Sequence, residues 1–284
     1  MHAVEHHYVK TNGITLHVAQ QGPKEGKLLL FLHGFPEFWY GWHKQMAYFA
    51  ERGYRVWAPD QRGYNLSDKP KRIKDYHISQ LTKDIAGLIE QSPHKRVTII
   101  GHDWGGIVTW RMAREYPQLI DKVVILNAPH EAAMQKQLVK HPTQLIRSSY
   151  AAFFQVRGLP ERLISQNNWK MGTEMLEATS QPGAFTKEDL KHYREAWSKP
   201  GAMTAMINWY RANVKAMAHS DLPKQVTIPM LFIWGAKDQF LGQDLAHISS
   251  RYIEEGRLVF FEQATHWVHL EEADRVNDII EGFI

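Results

Sequence analysis

The 284-residue chain contains no cysteine. Disulfides, thiolate nucleophiles and cysteine-based zinc sites are therefore excluded at once. No apolar stretch approaches the ~18 residues that a membrane-spanning helix requires. Residues 1–10 carry three histidines and a glutamate where a secretory leader would be apolar. An excess of one charge is lacking too, since 34 basic and 30 acidic residues leave a formal balance of +4. The densest basic stretch, Lys69 to Lys74, reads as a solvated loop and not as a phosphate-binding patch. These absences lead to the expectation of a soluble, cytoplasmic protein with neither a membrane nor a nucleic acid as partner. What the chain does have is 44% hydrophobic residues and ten tryptophans. That supports one packed core with an inserted subdomain, with aromatics left over to line a pocket.

The order of elements is legible from periodicity. Residues His7 to Thr11 and Ile14 to Ala19 alternate around Asn12-Gly13, a pair suited to a tight hairpin turn. Lys27 to Leu32 is a continuous apolar run, as expected of a strand buried on both faces. Strands and helices then alternate: Tyr54 to Ala58, the helical spacing Ile78 to Gln91, Arg96 to Ile100, helical Trp104 to Tyr116, and Asp121 to Leu126. From Glu131 to Leu222 no strand pattern occurs, only helical patterns separated by Gly and Pro. One of these helices opens on the capping box Thr186-Lys187-Glu188-Asp189. Alternation resumes with the strand Pro229 to Trp234, the helix Asp244 to Ile253, the strand Arg257 to Phe261 and a last helix from Glu271. The expected architecture is an α/β core, with a mostly parallel eight-stranded sheet flanked by helices, from residues 1–130 and 223–284. An all-helical cap is inserted at 131–222.

The most informative segment is Ile99-Ile100-Gly101-His102-Asp103-Trp104-Gly105-Gly106. It follows a strand, opens a helix and has the small-x-nucleophile-x-small form of a nucleophile elbow. The usual central serine is replaced by Asp103, whose negative charge suits a helix N-terminus. An Asp that merely caps the helix is the plainer alternative. The α/β-hydrolase order of nucleophile, acid and histidine argues against it. Asp238 follows the strand ending near Gly235, and His266 follows the strand ending near Phe261. Both fall at the carboxyl edge of the sheet, where such folds place their sites. The loop His33-Gly34-Phe35-Pro36 occupies the position that supplies one oxyanion-hole N–H, and the residue after the nucleophile supplies the other; these donors are Phe35 and Trp104. His269 lies three residues beyond His266, but no neighbouring carboxylate completes a metal-ligand spacing. No metal is expected.

The segments Leu32-His33-Gly34-Phe35-Pro36-Glu37-Phe38-Trp39-Tyr40, Pro59-Asp60-Gln61-Arg62-Gly63-Tyr64, Gly101-His102-Asp103-Trp104-Gly105-Gly106, Asn208-Trp209-Tyr210-Arg211 and Thr265-His266-Trp267 resemble those of soluble epoxide hydrolases. The likeness is to bacterial forms without an extra N-terminal domain and spans nearly the whole chain. It implies two cap tyrosines, Tyr150 and Tyr210, that donate hydrogen bonds to an epoxide oxygen. Without the resemblance, both would read as core residues of aromatic-rich helices. It further implies a small apolar epoxide and water as reactants, no cofactor, and a cis peptide before Pro36.

The implied reaction is attack of Asp103 on a ring carbon, giving an alkyl-enzyme ester. Water activated by His266, itself oriented by Asp238, then hydrolyses the ester. Haloalkane dehalogenase chemistry is the alternative, using the same ester. Its halide contact at the residue after His-Gly is commonly Asn, where this chain has Phe35. The arginines that mark fluoroacetate dehalogenases would fall at Trp104 and Ile107. Asp103 disfavours a serine-type esterase, and a silent binding module would be expected to lack a triad member.

Overall fold

A computed structural model describes residues 2–140, 147, 149–213 and 224–284. The junction expected at 222/223 lies outside the described residues. The hairpin forms as β1(Glu5–Thr11) and β2(Ile14–Gln21). Its turn residues Asn12 and Gly13 take φ values of 43° and 75°, which Asn and Gly tolerate best. The remaining strands are β3(Leu28–Leu32), β4(Arg55–Pro59), β5(Val97–His102), β6(Ile120–Leu126), β7(Met230–Gly235) and β8(Gly256–Phe261). They form one eight-stranded sheet in the order β1-β2-β4-β3-β5-β6-β7-β8. The pairs β1/β2 and β2/β4 are antiparallel and all others parallel.

The central strands are buried on both faces because successive side chains feed two separate cores. Leu30, Ile99, Ile125 and Phe232 point into one core. Leu29, Ile100, Val124 and Ile233 point into the other. This explains why the strands read as unbroken apolar runs instead of alternating ones.

Helices α1(His43–Glu51), α2(Ile78–Glu90) and α3(Trp104–Glu115) cover the sheet. No sequence expectation covered α1. It is nine residues long, no side chain caps its start, and a 3₁₀ turn at Trp39–Trp42 runs straight into it. Between β6 and β7 lie α4(Glu131–Lys140), α5(Ser149–Phe153), α6(Leu159–Thr179), α7(Lys187–Trp197) and α8(Ala202–Asn213). No strand interrupts them among the described residues. The capping box forms at α7, with Thr186 and Asp189 each bonding the other's backbone N–H. α6 is interrupted at Gln166–Trp169, where three residues have positive φ. After β7 come α9(Gln243–Ser250), α10(Val268–Glu271) and α11(Ala273–Glu281). The last helix expected from Glu271 is therefore corrected to two helices broken at Glu272, whose φ of −121° leaves the helical region. No helix is long and apolar enough to cross a membrane among the described residues.

Candidate active site

Four parallel strands deliver the site. β3, β5, β7 and β8 run the same way, so the loops carrying Phe35, Asp103, Asp238 and His266 open on one edge of the sheet. Asp103 sits between β5 and α3 with φ 50° and ψ −120°, a strained conformation that thrusts its carboxylate out of the turn. Such a turn leaves no room behind it. A Cβ on Gly105 would collide with the Leu32 carbonyl, and one on Gly34 with the Asp103 side chain.

The two Asp103 oxygens have different surroundings. Oδ1 accepts a hydrogen bond from the Phe35 N–H at 2.8 Å. Oδ2 lies 3.6 Å from His266 Nε2. The Phe35-Pro36 peptide is cis, as the resemblance implied. Trp104 follows directly as the first residue of α3. His266 Nδ1 lies 2.7 Å from Asp238 Oδ2. Asp238 is buried and accepts further bonds from the N–H groups of Phe240 and Leu241 at 2.8 and 2.9 Å. Burial alone would raise its pKa; His266, Asn127 and the Leu241 N–H override that and hold it below the usual carboxylate range. For His266, burial alone would favour the neutral ring, but Asp238 and Asp103 outweigh it and push the pKa up to about 10. The resting site is thus an imidazolium between two carboxylates.

Tyr150 on α5 and Tyr210 on α8 line the same cavity of about 100 Å³ as Asp103 and His266. Their rings meet at 5.8 Å, near-perpendicular, and Tyr210 also packs edge-on against Phe35 and Trp104. Burial raises both phenol pKa values, reinforced at Tyr150 by the Asp103 charge and at Tyr210 by Tyr150 and then Asp103, so both keep their protons at neutral pH. All seven residues singled out from the sequence are brought together here.

Three features escaped sequence reasoning. Asn127, at the end of β6, donates to Asp238 Oδ2 at 2.7 Å and accepts from the Gly235 N–H at 2.9 Å, so it fixes the acid's loop. Its signal was a polar residue closing an apolar strand, with a φ of 41° that Asn tolerates.

The second is Glu37, fully buried two residues after Phe35. Its carboxylate meets His102 Nδ1 at 3.0 Å, His269 Nε2 at 3.2 Å and the Tyr193 hydroxyl at 3.0 Å. His102 Nε2 in turn lies 2.8 Å from the His266 carbonyl, so that nitrogen carries hydrogen. One carboxylate thereby ties the Phe35 loop to the Asp103 turn, the His266 loop and α7. The expectation that no carboxylate stands near His269 is corrected: Glu37 does, and with His102 they are three potential ligands within 4.8 Å. Their facing atoms are engaged with one another in hydrogen bonds.

The third is Arg211, next to Tyr210 and almost buried. It donates to the carbonyls of Phe154 and Val156 at 2.8 and 2.7 Å and to Glu161 at 2.6 Å.

A family model described as alpha/beta hydrolase fold matches residues 27–273. The AB hydrolase superfamily protein YfhM of Bacillus subtilis (strain 168) is 44% identical over 284 residues, covering 100% of this chain and 99% of that protein. Epoxide hydrolase 1 of Caenorhabditis elegans is 37% identical over 283 residues, covering 98% of this chain and 69% of its own length. Among solved structures, that of Bacillus megaterium epoxide hydrolase in complex with an inhibitor is similar with a TM-score of 0.88 at 28% identity, covering 98% of this chain and 99% of that one.

Proposed function

Because this chain belongs to the α/β-hydrolase family and is an epoxide hydrolase within it, we propose that it adds water to epoxides through a covalent ester on Asp103. The observation that carries this reading is the division of labour at the Asp103 carboxylate. Phe35 holds Oδ1 at 2.8 Å, whereas Oδ2 has the longer 3.6 Å approach of His266 Nε2, so Oδ2 is the oxygen that attacks a ring carbon. Attack breaks one C–O bond of the epoxide and leaves a strongly basic alkoxide on the adjacent carbon. Tyr150, half-buried, and Tyr210, buried, both keep their protons and supply the hydrogen bonds and the proton that this alkoxide needs. A halide leaving group would require no such proton, so two phenols in the same cavity as Asp103 favour the epoxide over the haloalkane.

Ester formation then changes the histidine. While Asp103 is ionised it helps hold His266 in its protonated form. Once esterified, Asp103 carries no charge, and that contribution vanishes. The ring then gives its proton back to the tyrosine that protonated the alkoxide and becomes the base that deprotonates water, with Asp238 stabilising the imidazolium that forms. Water adds to the ester carbonyl carbon, and the resulting oxyanion is Oδ1, already against the Phe35 N–H, with the Trp104 N–H as second donor. Collapse releases a vicinal diol and restores Asp103.

The atoms themselves provide the test. The oxygen first added to substrate belongs to Asp103, and solvent oxygen is left on the carboxylate. A single turnover in ¹⁸O-water, with enzyme in excess, should yield almost unlabelled diol and labelled Asp103 peptide. Full label in the first diol would mean direct attack by water and would refute the ester.

A further inference from the structure

Beside the cavity at Asp103 lies a second chamber of about 160 Å³, bordered by Ile164, Met171 and Met175 of α6, Trp197 of α7 and Met203 of α8. It shares Phe35, Phe154 and Met175 with the first cavity. Its lining side chains are apolar, and the one N–H among them, on the Trp197 indole, already donates to the Pro36 carbonyl at 2.7 Å. Met171 is 46% exposed, so the chamber reaches the surface there.

The two volumes assign different contents to the two spaces. An apolar cavity of ~150 Å³ holds one benzene ring. The inner cavity of about 100 Å³ is too small for a ring in addition to the oxirane, whereas the outer chamber matches a ring closely. We propose that the outer chamber binds a single apolar ring carried on a short tether by a terminal epoxide, and so selects tethered-ring substrates over those with the ring attached directly to the oxirane. This rests on the epoxide reading above. The tether passes between Phe35, Phe154 and Met175. Met175 is the adaptable member of that trio, since its unbranched thioether side chain changes rotamer easily. A charged group on the ring would be buried without a partner wherever it does not face the opening at Met171, which disfavours acids and amines at the other ring positions.

The test compares kcat/KM for methyloxirane, phenyloxirane and benzyloxirane. In the parent protein benzyloxirane should exceed phenyloxirane by about 10- to 100-fold, the discrimination that an apolar pocket commonly delivers. Filling the chamber from two independent walls, by Met203→Phe or by Ile164→Phe, should erase that advantage through KM and leave methyloxirane turnover near the parent value. Two walls are used so that a misfolded variant on one does not decide the matter, and the parent series needs no variant at all. Equal kcat/KM for the two aromatic epoxides in the parent, or an equal loss on all three epoxides in the folded variants, would overturn the chamber while leaving the epoxide reading intact. Failure to hydrolyse any of the three, methyloxirane included, would instead overturn the epoxide reading and the chamber with it.

Discussion

Arg211 donates from Nε to the carbonyl of Phe154 at 2.8 Å, and the Phe154 N–H in turn donates to the carbonyl of Tyr150 at 3.0 Å. The residue following Tyr210 therefore grips the end of the helix that carries Tyr150. Among the described residues α5 spans Ser149–Phe153, and Phe154 follows it directly. The guanidinium also bonds the Val156 carbonyl and Glu161, so it ties α8 to the connection between α5 and α6.

Replacing that fork by a point charge should misplace one phenol without touching the triad. Arg211→Lys is expected to slow ring opening by about 10- to 100-fold, since sub-ångström positioning of catalytic groups carries penalties of that order. Hydrolysis of the preformed ester should stay near the parent rate, because His266 and Asp238 stand on other loops. Rapid-quench measurement of the two steps separates them. Equal slowing of both would indicate general loosening and no positioning role. In a Tyr150→Phe background, Arg211→Lys should add little.

The tyrosines themselves should act as a pair. Tyr150→Phe with Tyr210→Phe is expected to reduce ring opening by at least ~10² to 10⁴, the usual contribution of acid catalysis, with each single change costing less. Thermal melting should move only modestly, since the ring packing is retained. Near-parent turnover in the double variant would remove the proposed leaving-group chemistry.

His266→Gln should separate the half-reactions. Asp103 remains free to alkylate, but no base is left for water. Intact-mass analysis after exposure to an epoxide is expected to show a stable adduct on the Asp103 peptide. Diol production by an unmodified variant would contradict the mechanism.

The same histidine predicts a pH-dependent stability. Its folded pKa of about 10 lies above the ordinary 6.5. The folded state therefore binds the proton more tightly than the unfolded chain, and the stabilisation is complete below about 6.5. It is lost as pH rises from there through about 10. The melting temperature of the parent, measured relative to His266→Gln, should fall across that window. A constant difference between the two proteins would mean that the imidazolium is not held by Asp103 and Asp238.

How much of this could be read from the chain depends on the range of the interaction. Parallel strands are visible because burial on both faces demands unbroken apolar runs such as Leu28–Leu32. Asp103 is visible because a strand-to-helix turn needs small residues within three positions on either side, all of them local. Asp238 and His266 follow from strand order, since each is the chemistry-bearing residue just past a parallel strand. Tyr150 and Tyr210 were named only through resemblance, because an inward-facing phenol and a packed one have the same helical spacing.

What the amino-acid order could not disclose is which distant groups meet. Glu37 looked like one more residue of a loop; it bonds His102 across 65 positions and His269 across 232. Asn127 reaches Asp238 across 111 positions, and Arg211 reaches Phe154 across 57. No periodicity encodes such pairs, because each depends on how β3, β5, β7 and β8 are stacked and on where the helices between β6 and β7 come to rest. The second chamber is of the same kind. Its residues come from four separate stretches of chain, and its volume is set by gaps of a few ångströms between packed side chains. Local chemistry along the chain singled out Asp103, Asp238 and His266. Only the packing of the helices over the sheet's carboxyl edge decided how large a molecule they meet.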